Sequence, residues 1–118
     1  MNYIYMSGDG KRANKRNRVV YFKVGYSKHP VYRGGQLSYE ACRDLDIEYS
    51  FAVSAKHTYA VGDKATAQKV EKYVLDKVAQ MARTVIGKEH FLITKANRKQ
   101  CYKMLAQWCE EAIAQKEE

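Results

Sequence analysis

The chain has 118 residues, of which 46% are hydrophobic and one is proline, a composition typical of one folded domain and not of a disordered segment. Its net charge of +8 comes from 21 basic and 13 acidic residues and favours a polyanionic partner, above all nucleic acid. The sequence contains no apolar stretch long enough to cross a membrane, no signal-peptide pattern and no Cys-x-x-Cys spacing, so we expect a cytoplasmic protein with reduced cysteines and no zinc site.

Two strands are predicted at the start of the chain, over residues 2–6 and 19–26, and they form a hairpin. The pleat of the second strand directs Val20, Phe22 and Val24 to the core. Lys23 then points to the opposite, polar face, which Tyr5 of the first strand shares. Without further context, Lys23 is also compatible with an exposed lysine at a sheet edge.

The loop between these strands, residues 7–18, is rich in turn-forming residues and in cations. The cations are Lys11, Arg12, Lys15, Arg16 and Arg18. Such a run is compatible with a merely solvated loop. Because the loop joins the strands of Tyr5 and Lys23, it would lie beside a site that they form. We therefore predict that it binds backbone phosphates, with an affinity that falls as salt is added.

The middle of the chain predicts two helices and a third strand. A helix begins at Pro30 and runs toward residue 42, although Gly34-Gly35 weakens it. Residues 46–54 alternate in hydrophobicity and predict a strand. Asp63 is the expected N-cap of a second helix that ends before Gly87. The apolar stripe of that helix consists of Ala67, Val70, Val74 and Val78.

Residues 89–93 predict a short segment through the core, and Thr94 caps a last helix over residues 95–116. The apolar side of this helix carries Cys101, Tyr102, Leu105, Cys109, Ala112 and Ile113. The order β-β-α-β-α, followed by the C-terminal helix, predicts an α+β fold. We expect a small, mainly antiparallel, three-stranded sheet flanked by helices, in a single domain over residues 1–118.

Five short segments resemble, in order and spacing, the motifs of the GIY-YIG nuclease superfamily. They are Tyr3-Ile4-Tyr5, Lys23-Val24-Gly25-Tyr26-Ser27, His29-Pro30 with Arg33, Glu71, and Glu89-His90-Phe91. The resemblance is strongest to the phage-associated branch whose second motif reads Lys-Ile-Gly, and it covers residues 2–93. The chain departs from the common pattern at Tyr3, where most members have glycine, and at Lys23, where most have tyrosine.

The resemblance implies a metal-dependent endonuclease that hydrolyses phosphodiester bonds, encoded by a phage or mobile element, with DNA favoured over RNA as the substrate. It implies that Tyr5 helps to activate water, that Arg33 binds the scissile phosphate, and that Glu71 holds a divalent metal. A guanidinium binds phosphate through two parallel hydrogen bonds, and a carboxylate with water suits Mg²⁺, with Mn²⁺ as the second choice. Lys23 would bind phosphate or act as a base. His29, close to Arg33, joins the expected nucleic-acid-binding residues.

Three functions remain open from the sequence. The first is this endonuclease, acting in the bacterial host cytoplasm if a phage encodes it. The second is a protein of the same fold that has lost catalysis and binds nucleic acid or inhibits a host factor. The third is a protein-interaction module whose charge serves solubility. The resemblance favours the first.

Overall fold

The computed structural model describes residues 1–8, 19–30, 53–86 and 89–115. These ranges contain five strands, two α-helices and one short 3₁₀ helix, Ala55–His57. The strands are β1 (Asn2–Gly8), β2 (Val19–Ser27), β3 (Thr58–Gly62), β4 (Thr84–Ile86) and β5 (His90–Thr94). The α-helices are α1 (Lys64–Met81) and α2 (Lys95–Ala114), and neither has the length and hydropathy needed to span a membrane.

The five strands form one sheet in the order β3-β1-β2-β5-β4, and every neighbouring pair is antiparallel. This confirms the α+β class, the antiparallel sheet and the β1–β2 hairpin. The predicted three-stranded layout is not matched, because the sheet has five strands: β5 pairs with β2, and β3 and β4 add a strand at each edge. β3, of five residues, and β4, of three, are not among the predicted strands.

Two predicted elements lie largely outside the described residues. The predicted helix over residues 30–42 is described only at Pro30, which is buried and helical. The predicted strand over residues 46–54 is described only at Val53 and Ser54, which precede the 3₁₀ helix and belong to no strand. The strand that pairs with the outer edge of β1 is instead Thr58–Gly62.

Both α-helices begin at the predicted caps. The Asp63 carboxylate accepts the Thr66 N–H at 2.8 Å, and the Thr94 hydroxyl accepts the Asn97 N–H at 3.1 Å. Each cap satisfies a backbone donor that has no partner within its own helix. These two contacts fix where α1 leaves β3 and where α2 leaves β5.

The core lies between one face of the sheet and the two helices. The predicted apolar residues of β2 and α1 are fully buried there, with 0–1% of their surface exposed. They are Val20, Phe22, Val24, Ala67, Val70, Val74 and Val78. On α2, Cys101, Leu105, Cys109 and Ala112 are buried as expected, whereas Ile113 is 45% exposed. Ile113 lies one residue past the buried position 112, and the 100° rotation per residue carries it out of the stripe.

Candidate active site

The end of β2 extends beyond its neighbour β5, and this offset creates the candidate site. The pairing of the two strands ends at Lys23 and His90, where β5 begins. The Val24 N–H still reaches the carbonyl oxygen of Glu89, at 3.2 Å. Two residues further along β2, the backbone N–H of Tyr26 donates to the carboxylate of Glu71 from α1. A helix side chain thus takes the place of a strand partner at this edge.

Glu71 is partly buried and has an unusual acidity. Burial, and then the neighbouring Glu89 carboxylate, raise the pKa of Glu71 from its ordinary value of 4.5 to about 7. The Lys23 ammonium and the Tyr26 N–H act in the opposite direction. Both carboxylates therefore lie within electrostatic reach of one ammonium.

Lys23 is buried, with only 3% of its surface exposed. Its ammonium donates to the Glu89 carboxylate and forms an ion pair with it, and the Glu89 side chain is 43% exposed. The interpretation of Lys23 as an exposed edge lysine is therefore wrong. The polar face that it shares with Tyr5 is itself buried, because Tyr5 and Ser7 are 2% and 1% exposed.

Gly25 allows Tyr5 to lie over β2. The two residues are directly opposite in the β1–β2 ladder. A Cβ atom at Gly25 would lie 2.5 Å from the Tyr5 hydroxyl oxygen and 2.8 Å from the ring carbon that bears it. Such distances are well inside van der Waals contact, so only glycine permits this approach. The phenol is thereby held on the same face of β2 as Lys23.

Three of the four predicted catalytic residues contact or belong to residues 23–26 of β2: Tyr5 lies over Gly25, Lys23 is part of the strand, and Glu71 accepts the Tyr26 N–H from α1. Arg33, the fourth, lies outside the described residues, as do the five predicted phosphate-binding residues of the loop, Lys11, Arg12, Lys15, Arg16 and Arg18. His29 is exposed, and its backbone N–H donates to the Ser27 hydroxyl at 3.0 Å. Tyr26 and Ser27 also line a polar groove of about 630 Å³ together with Met1, Asn2, Lys28, Asp63 and Lys64.

Glu89 is a residue of this site that the sequence does not indicate as functional. It was noted only as part of a segment that resembles a family motif. The structure places it opposite the end of β2, where it binds Lys23 and repels Glu71. Its signal in the sequence is its position directly before a core strand, but the 66-residue separation from Lys23 hides the pairing.

The carboxylates of this site are suitable ligands for Mg²⁺, but the site offers few protein ligands. The described residues contain no group of three or more His, Cys, Asp or Glu side chains suited to a metal ion. An ion here would therefore use Glu71, with Glu89 nearby, and water for its other positions. Mg²⁺ binds in this way, through one or two carboxylates and several waters, so the residues present fit that ion.

The acidity of Glu71 predicts an unusual dependence of stability on pH. A carboxyl with a raised pKa binds its proton more tightly in the folded state, so its favourable contribution is largest below pH 4.5 and is lost as the pH rises to about 7. Glu71→Gln removes this dependence. We expect the free energy of unfolding of Glu71→Gln, relative to the wild type, to increase between pH 5 and pH 8 in urea titrations. Asp76→Asn, an exposed position on the same helix, should give a constant difference, and a constant difference for Glu71→Gln would contradict the prediction.

Comparison with known proteins gives one match. The protein-family model of the T5orf172 domain matches residues 2–109 of the chain. The matched range includes all five strands, α1 and most of α2, and with them Tyr5, Lys23, Glu71 and Glu89. Neither the curated proteins nor the solved structures gave a match.

Proposed function

The chain belongs to the T5orf172 domain family, which is phage-associated and nuclease-related, and we propose that it is a metal-dependent endonuclease of the GIY-YIG type that hydrolyses phosphodiester bonds in DNA. The observation that supports this proposal most is that Tyr5 lies over Gly25 of β2 while Glu71 accepts the Tyr26 N–H and is within electrostatic reach of Lys23. These residues come from two strands and a helix that are distant in the sequence. Tyr5, Lys23 and Glu71 are also residues that the resemblance implies for the reaction.

Glu71 would hold the divalent metal, with Glu89 as the neighbouring carboxylate. When bound, a divalent ion polarises a phosphoryl oxygen and stabilises the charge that develops in the transition state. Burial first, and then the Glu89 carboxylate, raise the pKa of Glu71, so a bound cation would compete with a proton for its oxygens. Metal binding would then be stronger above pH 7, where Glu71 is ionised.

Tyr5 and Lys23 have separate roles in the proposed reaction. Lys23 forms an ion pair with Glu89, and we assign it the role of a phosphate-binding cation and not that of a base. The Tyr5 hydroxyl, fixed over Gly25, is then the group that orients water or takes its proton. Arg33 is assigned to the scissile phosphate on the resemblance alone.

A plasmid-nicking assay with Mg²⁺ or Mn²⁺ tests the proposal. We expect the wild type to nick supercoiled DNA and Glu71→Gln and Arg33→Ala to lose activity by about a hundredfold or more, the usual effect of removing one group that stabilises transition-state charge. Asp76→Asn, which removes an exposed carboxylate from the same helix, is the matched control and should keep full activity. Nicking that survives both Glu71→Gln and Arg33→Ala would refute the assignment.

A second function, nucleic-acid binding without catalysis, is favoured by one observation. Lys23 replaces the tyrosine of the second motif and is buried against Glu89, so it is less accessible to a substrate than a tyrosine at an open site. Under this alternative no DNA is nicked with either metal, although DNA is still bound. The melting temperature distinguishes the endonuclease from a protein that only binds DNA. If the site binds the metal, Mg²⁺ at pH 8 should raise the melting temperature of the wild type but not that of Glu71→Gln.

A further inference from the structure

The charges of α2 are unevenly distributed. Its first half carries four cations, Lys95, Arg98, Lys99 and Lys103, and its acidic residues, Glu110 and Glu111, come only near the C-terminus. This order opposes the helix dipole, which favours negative charge at the N-terminus and positive charge at the C-terminus. Stability of the helix therefore does not account for the basic half.

The two halves of α2 also differ in their partners. The Tyr59 hydroxyl donates to Glu110 at 3.0 Å, and the Tyr73 hydroxyl donates to Glu111 at 2.7 Å. In contrast, no cation of the basic half forms an ion pair with a carboxylate within the part of the chain that the structure describes. The acidic half is used for contacts within the fold, whereas the charges of the basic half are left for a partner.

The spacing of the three lysines suits a phosphate backbone. Lys95, Lys99 and Lys103 are exposed and recur every four residues, so they follow one side of the helix. Successive lysines are about 6 Å apart along the axis and the three span about 12 Å. One strand of B-DNA advances 3.4 Å per phosphate, so about three or four phosphates lie along that length.

A group of side chains that lie around Gly8 borders this face. Tyr102 accepts the backbone N–H of Gly8 and stacks on His57, with ring centroids 3.6 Å apart and planes 4° from parallel. The Arg98 side chain lies over Gly8. Burial, Lys56 and Arg98 lower the pKa of His57, which shows that its surroundings are positively charged.

This border also meets both ends of the predicted basic loop. Gly8, the last residue of β1, precedes the loop, and Val19, the first residue of β2, follows it. Val19 pairs with Thr94, the N-cap of α2. The residues on either side of the loop, Gly8 and Val19, therefore lie at the end of the sheet where α2 begins.

We propose that the basic face of α2, formed by Lys95, Lys99 and Lys103 with Arg98 at its border, binds the phosphate backbone of duplex DNA without reading its sequence. The choice of DNA as the polyanion rests on the proposed function. The face begins next to the Val19–Thr94 pair, four residues along the sheet from the Lys23–His90 pair. It would position the duplex, while the residues around β2 act on one phosphodiester bond.

Binding of a 20-base-pair duplex to the full chain tests this proposal. All variants carry Glu71→Gln, so that cleavage does not interfere. We expect Lys99→Gln/Lys103→Gln to bind at least about tenfold more weakly at 0.1 M salt, and its plot of log affinity against log salt to be shallower by about 1.8, because each phosphate contact contributes about 0.9. Circular dichroism should show an unchanged helix content.

The matched control is Lys69→Gln/Lys77→Gln, which removes the same charge from α1. There Lys69 donates to the Gln115 carbonyl oxygen at 2.6 Å and Lys77 lies 5.3 Å from the Tyr73 ring centre. This control should keep the salt slope of the parent. Equal effects of the two double variants, or no binding by the parent at low salt, would overturn the proposal. Failure of nicking by the wild type, with the α2 variant still defective in binding, would refute only the proposed function.

Discussion

Glu89→Gln is expected to lower the free energy of unfolding by about 2–3 kcal/mol, and Lys23→Met by about 1 kcal/mol. Removing one partner of a buried ion pair costs about 3–5 kcal/mol, because the remaining charge stays desolvated. Lys23 is 3% exposed, so Glu89→Gln leaves its ammonium without a carboxylate in a dry environment. Lys23→Met leaves the Glu89 carboxylate, whose side chain is 43% exposed and can be hydrated, so this variant loses less stability than Glu89→Gln. The same exposure weakens the ion pair, so both losses fall below those of a fully buried pair.

Urea titrations of the two single variants and the double variant Lys23→Met/Glu89→Gln measure this coupling. We expect the double variant to be more stable than Glu89→Gln alone, because no buried charge remains. Lys72→Met, at an exposed position of α1, is the control for the change of side chain and should alter stability by less than about 0.5 kcal/mol. Equal losses in the two single variants that add in the double variant would contradict a buried ion pair.

Glu89→Gln and Lys23→Met should shift the pKa of Glu71 in opposite directions. Glu89→Gln removes a carboxylate that raises the pKa of Glu71, so that pKa should fall toward 4.5. Lys23→Met removes a cation that lowers it, so that pKa should rise further. NMR titration of the Glu71 carboxyl carbon distinguishes the two. Shifts of the same sign would show that the three charges do not form one electrostatic group.

Gly25→Ala is expected to destabilise the protein by about 3 kcal/mol and to reduce any cleavage activity strongly. The new methyl carbon would lie 2.5 Å from the Tyr5 hydroxyl oxygen, and Tyr5 is only 2% exposed. The ring has no free space into which to move, and overpacking in a closed environment costs about 1–3 kcal/mol. Moving the ring also displaces the hydroxyl that we assign to water activation.

Gly8→Ala, in the adjacent strand, is the control for this prediction. A methyl group there would lie 2.9 Å from a side-chain carbon of Arg98, which is flexible and can turn away, so we expect a loss below about 1 kcal/mol. The double variant Gly25→Ala/Tyr5→Ala should lose less stability than the sum of the single variants, because the second change removes the clash. Additive losses, or a Gly25→Ala protein as stable as Gly8→Ala, would refute the close contact.

Local patterns in the sequence determined the elements that depend on neighbours in the chain. The alternation of Val20, Phe22 and Val24 marks one face of a strand because successive side chains point to opposite sides. Asp63 and Thr94 mark helix starts because a cap needs only a side-chain oxygen three residues before a backbone N–H. For the same reason the apolar stripe of α1 was recognisable, and the resemblance selected Tyr5, Lys23 and Glu71 by order and spacing.

Such local patterns do not predict which strands pair across the sheet. The edge strands β3 and β4 are not among the predicted strands, and they pair with β1 and β5 through backbone hydrogen bonds that the fold brings together. The sequence also gives no reason to single out the basic half of α2, because the apolar stripe is enough to predict that helix. Its distinction from the acidic half depends on Tyr59 and Tyr73, which only the fold brings to Glu110 and Glu111.

The sequence by itself determined that Lys23 lies on the face of β2 opposite the core and that Tyr5 shares that face. Only the tertiary structure decided that this second face is also buried and that Glu89 pairs with Lys23 across 66 residues. It also decided that burial, and then the neighbouring Glu89, raise the pKa of Glu71 to about 7. The physical reason is that the direction of each side chain along a strand follows from the covalent geometry of adjacent residues. Burial and electrostatic energy, in contrast, depend on every group that the fold brings near a charge.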